Sequence, residues 1–128
     1  MWLALMSPAL VSAEDTMIIY DQYKIPSAFY GGHQISKSYY IKESLQKVDS
    51  SKPNLLQVKT YRKVTDGGGT TEYRVTFQIN CKSQKYTMVR HWSTGYGEDK
   101  GFMVDGKWYP ISKYDDMVVL MHKICPTK

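Results

Sequence analysis

Catalytic and metal-binding motifs are missing from this sequence, and the residues that build them are few. The three histidines, His33, His91 and His122, form neither an HExxH motif nor a pair at helical spacing. No serine lies in a G-x-S-x-G elbow, and there is no Walker-type phosphate loop. We therefore predict that the protein is not an enzyme and uses neither a metal nor a cofactor. A hydrolase with a non-obvious site is the alternative.

A glycine-rich segment follows residue 94, but it lacks the context of a phosphate loop. Gly95, Gly97 and Gly101 are not followed by a helix whose N-terminus would bind a phosphate. We expect a flexible, exposed loop in which Tyr96 is the residue suited to contact a partner.

Cysteine is scarce, and a membrane-spanning run is absent. Cys81 and Cys125 are the only two cysteines, and neither belongs to a CxxC motif.

The apolar run within residues 1–13 is too short to cross a membrane, and residues 11–13 have the small side chains of a signal-peptidase site. We predict a signal peptide over residues 1–13 and a single domain over residues 14–128, exported to the periplasm or secreted from a bacterial cell.

This signal peptide has no Lys or Arg before its apolar run, which indicates a truncated signal or a start upstream of Met1. A buried N-terminal strand is the alternative interpretation of this segment.

The chain is rich in tyrosine, and its patterns favour strands. It has 11 tyrosines, and tyrosine, threonine and valine suit a half-buried pleated surface. Apolar and polar residues alternate over 70–81, which predicts a strand whose buried face includes Cys81. The glycines of 66–69 predict a hairpin loop from a preceding strand over 55–65.

Further reversals complete a meander. Residues 82–84 lead into a strand over 85–92, and Asp105-Gly106 predicts a third hairpin. The other strand candidates are residues 17–20, 38–41, 102–104 and 107–109. The predicted fold is α+β and mainly β, an antiparallel meander of five or six strands packed against one C-terminal helix.

The last segment has helical periodicity. Ser112 and Asp115 have the spacing of a capping box, and Pro126 ends the pattern. Cys125 borders the apolar stripe of this helix and Cys81 lies on the buried face of the sheet, so we predict a disulfide that joins helix to sheet and contributes about 4 kcal/mol. The stripe consists of Met117, Leu120, Met121 and Ile124.

Positive charge is concentrated in the central strands. The net charge of the chain is +5, whereas residues 51–92 alone carry +6. We expect several of these basic residues to share the outer face of the sheet, with Tyr61 beside Arg62 and Trp92 beside Arg90 forming a stacking platform. The candidate binding residues are Arg62, Arg74, Lys85, Arg90, Trp92 and Tyr96.

The sequence resembles the bacterial surface-adhesin protein E family over residues 16–126. The resemblance rests on the Ser-Tyr-Tyr-Ile and Glu-Ser-Leu segments at 38–41 and 43–45, the Ile-Asn-Cys strand end at 79–81, and the Lys-Ile-Cys helix end at 123–125. It implies an antiparallel sheet packed by a C-terminal helix, a disulfide between the two cysteines, and a location in the cell envelope. The family includes a lipoprotein adhesin that binds host extracellular-matrix and plasma proteins, and many of its other members are exported domains of unknown role.

No cysteine ends the predicted signal segment, so we expect a soluble periplasmic or secreted protein in place of a lipoprotein. The functional hypothesis is an envelope binding module that recognises a protein or an acidic glycan through its basic, aromatic face. The alternatives are a periplasmic inhibitor or immunity-type protein that blocks an enzyme, and a basic face that only keeps the protein soluble and monomeric. Export argues against nucleic acid as the ligand.

Overall fold

The predicted glycine hairpin forms the centre of the sheet. In the computed structural model, strands β4 (Leu55–Asp66) and β5 (Gly69–Asn80) pair along their full length. The backbone N–H of Gly68 donates to the Asp66 carboxylate at 2.8 Å, and Gly69 has a φ of +130°, a region that favours glycine. The turn therefore consists of two residues and fixes the register of the whole hairpin.

The other strands extend this hairpin on both sides. The structure describes residues 15–27, 32–95, 97–98, 104–113 and 115–126. The sheet has the order β1-β2-β4-β5-β6-β7, with β3 beside β4 and β8 beside β6, and all pairs are antiparallel. The remaining elements are β1 (Met17–Pro26), β2 (His33–Ile41), a 3-10 turn (Lys42–Ser44), β3 (Gln46–Lys47), β6 (Lys85–Ser93), β7 (Gly97–Glu98), β8 (Tyr109–Pro110) and helix α1 (Asp116–Ile124).

This curled antiparallel sheet with one C-terminal helix confirms the predicted fold class. The strands predicted at 17–20 and 38–41 are longer than expected. The hairpin predicted at Asp105-Gly106 differs, because Tyr109–Pro110 pairs with β6, where the Tyr109 and Tyr86 rings lie 6.0 Å apart. Residues 102–103 of its other predicted strand lie outside the described residues.

Two irregularities in the pairing change which side chains share a face. In β1 the register shifts between Ile19 and Asp21, leaving Tyr20 as the extra residue. In β6 the extra residue is Val89, because Met88 pairs with Phe77 and Arg90 with Thr76. A bulge reverses the alternation of the strand that carries it. Before Val89 the even-numbered residues of β6 lie on the same face as Phe77, and after it the odd-numbered residues do.

The helix packs against one face of the sheet, called here the inner face. The predicted stripe of α1 is buried against Leu56 and Val58 of β4 and Phe77 and Ile79 of β5, and burying apolar surface of this kind is the main favourable term in folding. Among the described residues, no helix is long and apolar enough to cross a membrane.

The helix begins later than the capping-box pattern predicted. Asp115 is the N-cap residue, and its carboxylate accepts from the backbone N–H of Met117 at 3.1 Å. The Ser112 carbonyl instead accepts from the N–H of Asp115 at 3.0 Å, so Ser112 lies ahead of the N-cap residue. The prediction of Ser112 as the cap is wrong, because Asp115 and not Ser112 accepts from a free N–H group of the first helical turn.

The predicted disulfide is present. Cys81 follows β5, Cys125 follows α1, and they are bonded with their Cα atoms 5.8 Å apart. The bond ties the end of the central hairpin to the end of the helix.

Removing this bond is expected to cost much of the stability of the domain. Replacing both cysteines, Cys81→Ala with Cys125→Ala, should lower the free energy of unfolding by about 3–4 kcal/mol, because the unfolded chain is no longer constrained. Urea unfolding with and without reductant measures this loss. Reductant should destabilise the wild type by a similar amount and leave the double variant unchanged. Equal stability of wild type and double variant without reductant would contradict the prediction.

The revised cap gives a second test. Asp115→Ala should lower the free energy of unfolding by about 1 kcal/mol, because the N–H of Met117 loses its acceptor. Asp115→Asn is the matched control, since it removes the same charge but keeps a capping oxygen, and it should retain most of the stability in urea unfolding. If both variants lose the same free energy of unfolding, Asp115 stabilises the protein through its charge and not through capping.

Candidate functional site

A row of aromatic side chains and one arginine crosses the outer face of the sheet. The register places Tyr39 of β2 opposite Tyr61 of β4, Tyr61 opposite Arg74 of β5, and Arg74 opposite Trp92 of β6. The guanidinium carbon of Arg74 is 4.4 Å from the Trp92 ring centroid and 5.8 Å from that of Tyr61. Tyr61 in turn stacks on Tyr39 with a centroid distance of 6.1 Å. We call these four residues the aromatic row.

Arg74 has little hydrogen bonding for a half-buried cation. Its contact with Glu72 is 3.5 Å long, and its buried Nε atom has no hydrogen-bond partner among the described residues. The cation–π contacts with Trp92 and Tyr61 therefore carry much of its stabilisation. Because a guanidinium has five N–H donors, Arg74 retains capacity to bind an anionic group.

Basic residues flank the aromatic row on both sides. Lys59 and Arg90 share the outer face with Thr76 between them, and Lys37 pairs with Lys63 on the other side. Arg90 donates two hydrogen bonds to Glu98, at 3.0 and 3.2 Å, and this carboxylate raises the pKa of Arg90.

The result is a predominantly positive face with an aromatic centre. A shallow pocket of about 160 Å³ opens beside the row, with Tyr61, Arg74, Arg90 and Trp92 in its lining. This arrangement can hold an anionic, flat or extended ligand.

The structure brings together three of the six predicted binding residues. Arg74, Arg90 and Trp92 lie together in this pocket. Lys85 has the outer-face register but lies at the opposite end of β6, Tyr96 lies outside the described residues, and Arg62 is on the inner face.

The stacking partners also differ from those predicted. Adjacent residues of a strand point to opposite faces, so Tyr61 and Arg62 cannot stack as neighbours. Tyr61 packs on Arg74 across the strands instead. Tyr39 was missed as a member of the row, and only the cross-strand register would have revealed it.

A second polar site lies on the inner face, beside the N-terminus of α1. Arg62 donates from Nε to the Ser36 hydroxyl at 3.0 Å and from Nη2 to the Tyr23 hydroxyl at 2.6 Å. Its guanidinium carbon is 5.9 Å from the Tyr23 ring centroid and 5.7 Å from that of Tyr73. Next to Tyr73, His91 has a buried Nδ1 without a hydrogen-bond partner among the described residues.

A cleft of about 300 Å³ separates this arginine from the start of the helix. Asp115 and Asp116 line it on the helix side, and aromatic side chains including Tyr20 and Tyr86 form its walls. Burial is the main cause that raises the pKa of Asp116 to about 6, the hydrogen bond and charge of Asp115 add to it, and Arg62 opposes it. Burial likewise raises the pKa of Tyr20.

Comparison of the chain with family models, characterised proteins and solved structures gives no match. Over the described residues, no group of three or more His, Cys, Asp or Glu side chains is placed to hold a metal ion. The candidate sites are therefore defined by their geometry alone.

The raised pKa of Asp116 predicts a specific pH dependence. Between about pH 4 and 6 the folded protein binds a proton at Asp116 that the unfolded chain releases, so this group contributes less stability as pH rises through that window. Asp116→Asn removes this titration. The free energy of unfolding of the variant, relative to that of the wild type, should therefore rise by about 1 kcal/mol from pH 4 to pH 7.5, after allowance for solvent screening. Urea unfolding of both proteins at the two pH values measures the difference, and a pH-independent difference would contradict the assignment.

Proposed function

We propose that the protein is an exported, non-catalytic binding module of the bacterial cell envelope whose outer face recognises an acidic glycan. The observation that carries the proposal is Arg74, held on the Trp92 ring at 4.4 Å with an unsatisfied Nε. A cation fixed by ring contacts keeps its donors for an anionic ligand at a low entropic cost.

The charges around Arg74 favour an extended ligand. Lysines lie on both sides of the aromatic row, and neighbouring strands are about 4.8 Å apart. A chain that carries repeated anionic groups could therefore meet a cation on each of several strands. Sugar rings have flat faces that suit the exposed parts of Tyr39 and Tyr61.

The proposed location is supported by the Cys81–Cys125 bond, since structural disulfides persist in oxidising compartments outside the cytosol. The same bond and the C-terminal helix are features that the resemblance to the surface-adhesin protein E family implies. The inhibitor alternative depends on the segment over residues 95–101. The structure differs from the flexible loop expected there, because Gly97 and Glu98 pair with β6 as strand β7. Tyr96 lies outside the described residues, so the outer face carries the proposal.

Binding to a size-defined, fluorescent heparin oligosaccharide tests this function. We expect Arg74→Gln and Trp92→Ala each to raise Kd about five- to tenfold, because the first removes the anion contact and the second its support. Anisotropy titrations at several salt concentrations should also give a smaller salt slope for Arg74→Gln, by about one charge.

Lys82→Gln is the matched control. It removes one positive charge from the exposed turn after β5 and should change the affinity far less than Arg74→Gln. Poly-L-glutamate serves as a second probe: preferential binding of this peptide would favour an acidic protein partner over a glycan. Equal effects of the two charge removals, or no binding at low salt, would show that the aromatic row is not the binding site.

A further inference from the structure

The inner-face cleft contains separated charges of opposite sign. Arg62 lies on one side, and Asp115 and Asp116 lie on the other. The ion pairs of the described residues include Arg74–Glu72 and Arg90–Glu98, and within this part of the chain Arg62 forms none with Asp115 or Asp116. The three charged groups nevertheless line both this cleft and the neighbouring cavity that opens past Tyr23. Asp21 and Lys113 also line that neighbouring cavity, but not the cleft.

The described residues that hold Arg62 in place do so without an ion pair. Ser36 and Tyr23 accept from two of its donors, and the rings of Tyr23 and Tyr73 flank the guanidinium. All of these partners are uncharged, and a guanidinium has five donors. The remaining donors can bind a carboxylate with the bidentate geometry that arginine favours.

The helix side of the cleft has the complementary charge. Asp115 uses one carboxylate oxygen to cap the helix through the N–H of Met117, and Asp116 is half-buried next to it. Two neighbouring carboxylates at the edge of a cleft favour a bound cation, which relieves their mutual repulsion. A primary ammonium group satisfies this requirement with three donors.

Between the two charged sides, the cleft is mainly apolar and aromatic. Phe77, Tyr86 and Met88 line it, and Tyr86 packs edge-on against Phe77 with a centroid distance of 5.8 Å. Its volume of about 300 Å³ is at the lower end of the range for small-molecule sites. These walls suit an apolar or aromatic substituent.

We propose that this cleft binds a small zwitterion of the α-amino-acid class, with its carboxylate on Arg62, its ammonium group near Asp115 and Asp116, and an apolar or aromatic side chain against Phe77 and Tyr86. The site is on the opposite face of the sheet from the aromatic row, so this proposal does not depend on the proposed glycan binding.

The test compares three probes that share a phenylethyl group: L-phenylalanine carries both charged groups, phenethylamine only the ammonium group, and 3-phenylpropanoate only the carboxylate. Chemical-shift titrations of ¹⁵N-labelled protein should show saturable shifts around Tyr73, Met88 and His91, and L-phenylalanine should bind at least about tenfold more tightly than either analogue. Arg62→Gln should weaken L-phenylalanine and 3-phenylpropanoate but not phenethylamine. Asp116→Asn should weaken L-phenylalanine and phenethylamine but not 3-phenylpropanoate.

Arg74→Gln, on the other face, is the matched control and should leave all three affinities unchanged. If Arg62→Gln does not fold, Arg62→Lys keeps the charge but loses the bidentate fork, and the shift map of the wild type still locates the site. The proposal is overturned if none of the three probes shifts the cleft resonances at 10 mM (about the weakest binding of interest), or if an analogue with one charge binds as tightly as L-phenylalanine.

Discussion

The register of the β4–β5 hairpin decides which side chains meet on each face of the sheet. Because Asp66 pairs with Gly69 across a two-residue turn, Tyr61 lies opposite Arg74 and Arg62 lies opposite Tyr73. Each arginine thus receives an aromatic partner from the neighbouring strand, one pair on each face. A slip of one residue would move every side chain of a strand to the other face. Both candidate sites therefore depend on the turn at Gly67-Gly68.

The bulge at Val89 is the second constraint on the outer face. Tyr86 and Met88 point to the inner face, and with regular alternation Arg90 and Trp92 would follow them. The extra residue sends Arg90 and Trp92 to the outer face instead. Trp92 then covers the Arg74 guanidinium, which would otherwise have Tyr61 as its only described ring contact. One inserted residue on one strand thereby completes the aromatic row.

These two features also explain what could be predicted from the sequence. The alternation over 70–81, the helical stripe and the position of Cys81 report which face is buried, and this was sufficient for the fold class and the disulfide. Cross-strand partners depend on register, and three successive glycines after Asp66 allow more than one loop length. Arg74 and Trp92 were therefore recognised as candidate residues, but their contact was not. The cleft escaped prediction because Arg62 and Asp116 are far apart in sequence and belong to different elements.

The inner cleft follows from the shortness of α1. Nine residues of helix span about 14 Å, whereas the twelve residues of β4 span about 40 Å, so the helix covers only part of the inner face. Past its N-terminus the inner positions are polar, with buried Ser36 and Ser38 beside Arg62. A core this limited leaves the disulfide as a large share of a total stability that is typically about 5–15 kcal/mol. The bond fixes the C-terminal end of the helix, and the opposite end borders the cleft with Asp115 and Asp116. A longer apolar helix would reduce the need for the disulfide, but it would also fill the space in which Arg62 faces the two aspartates.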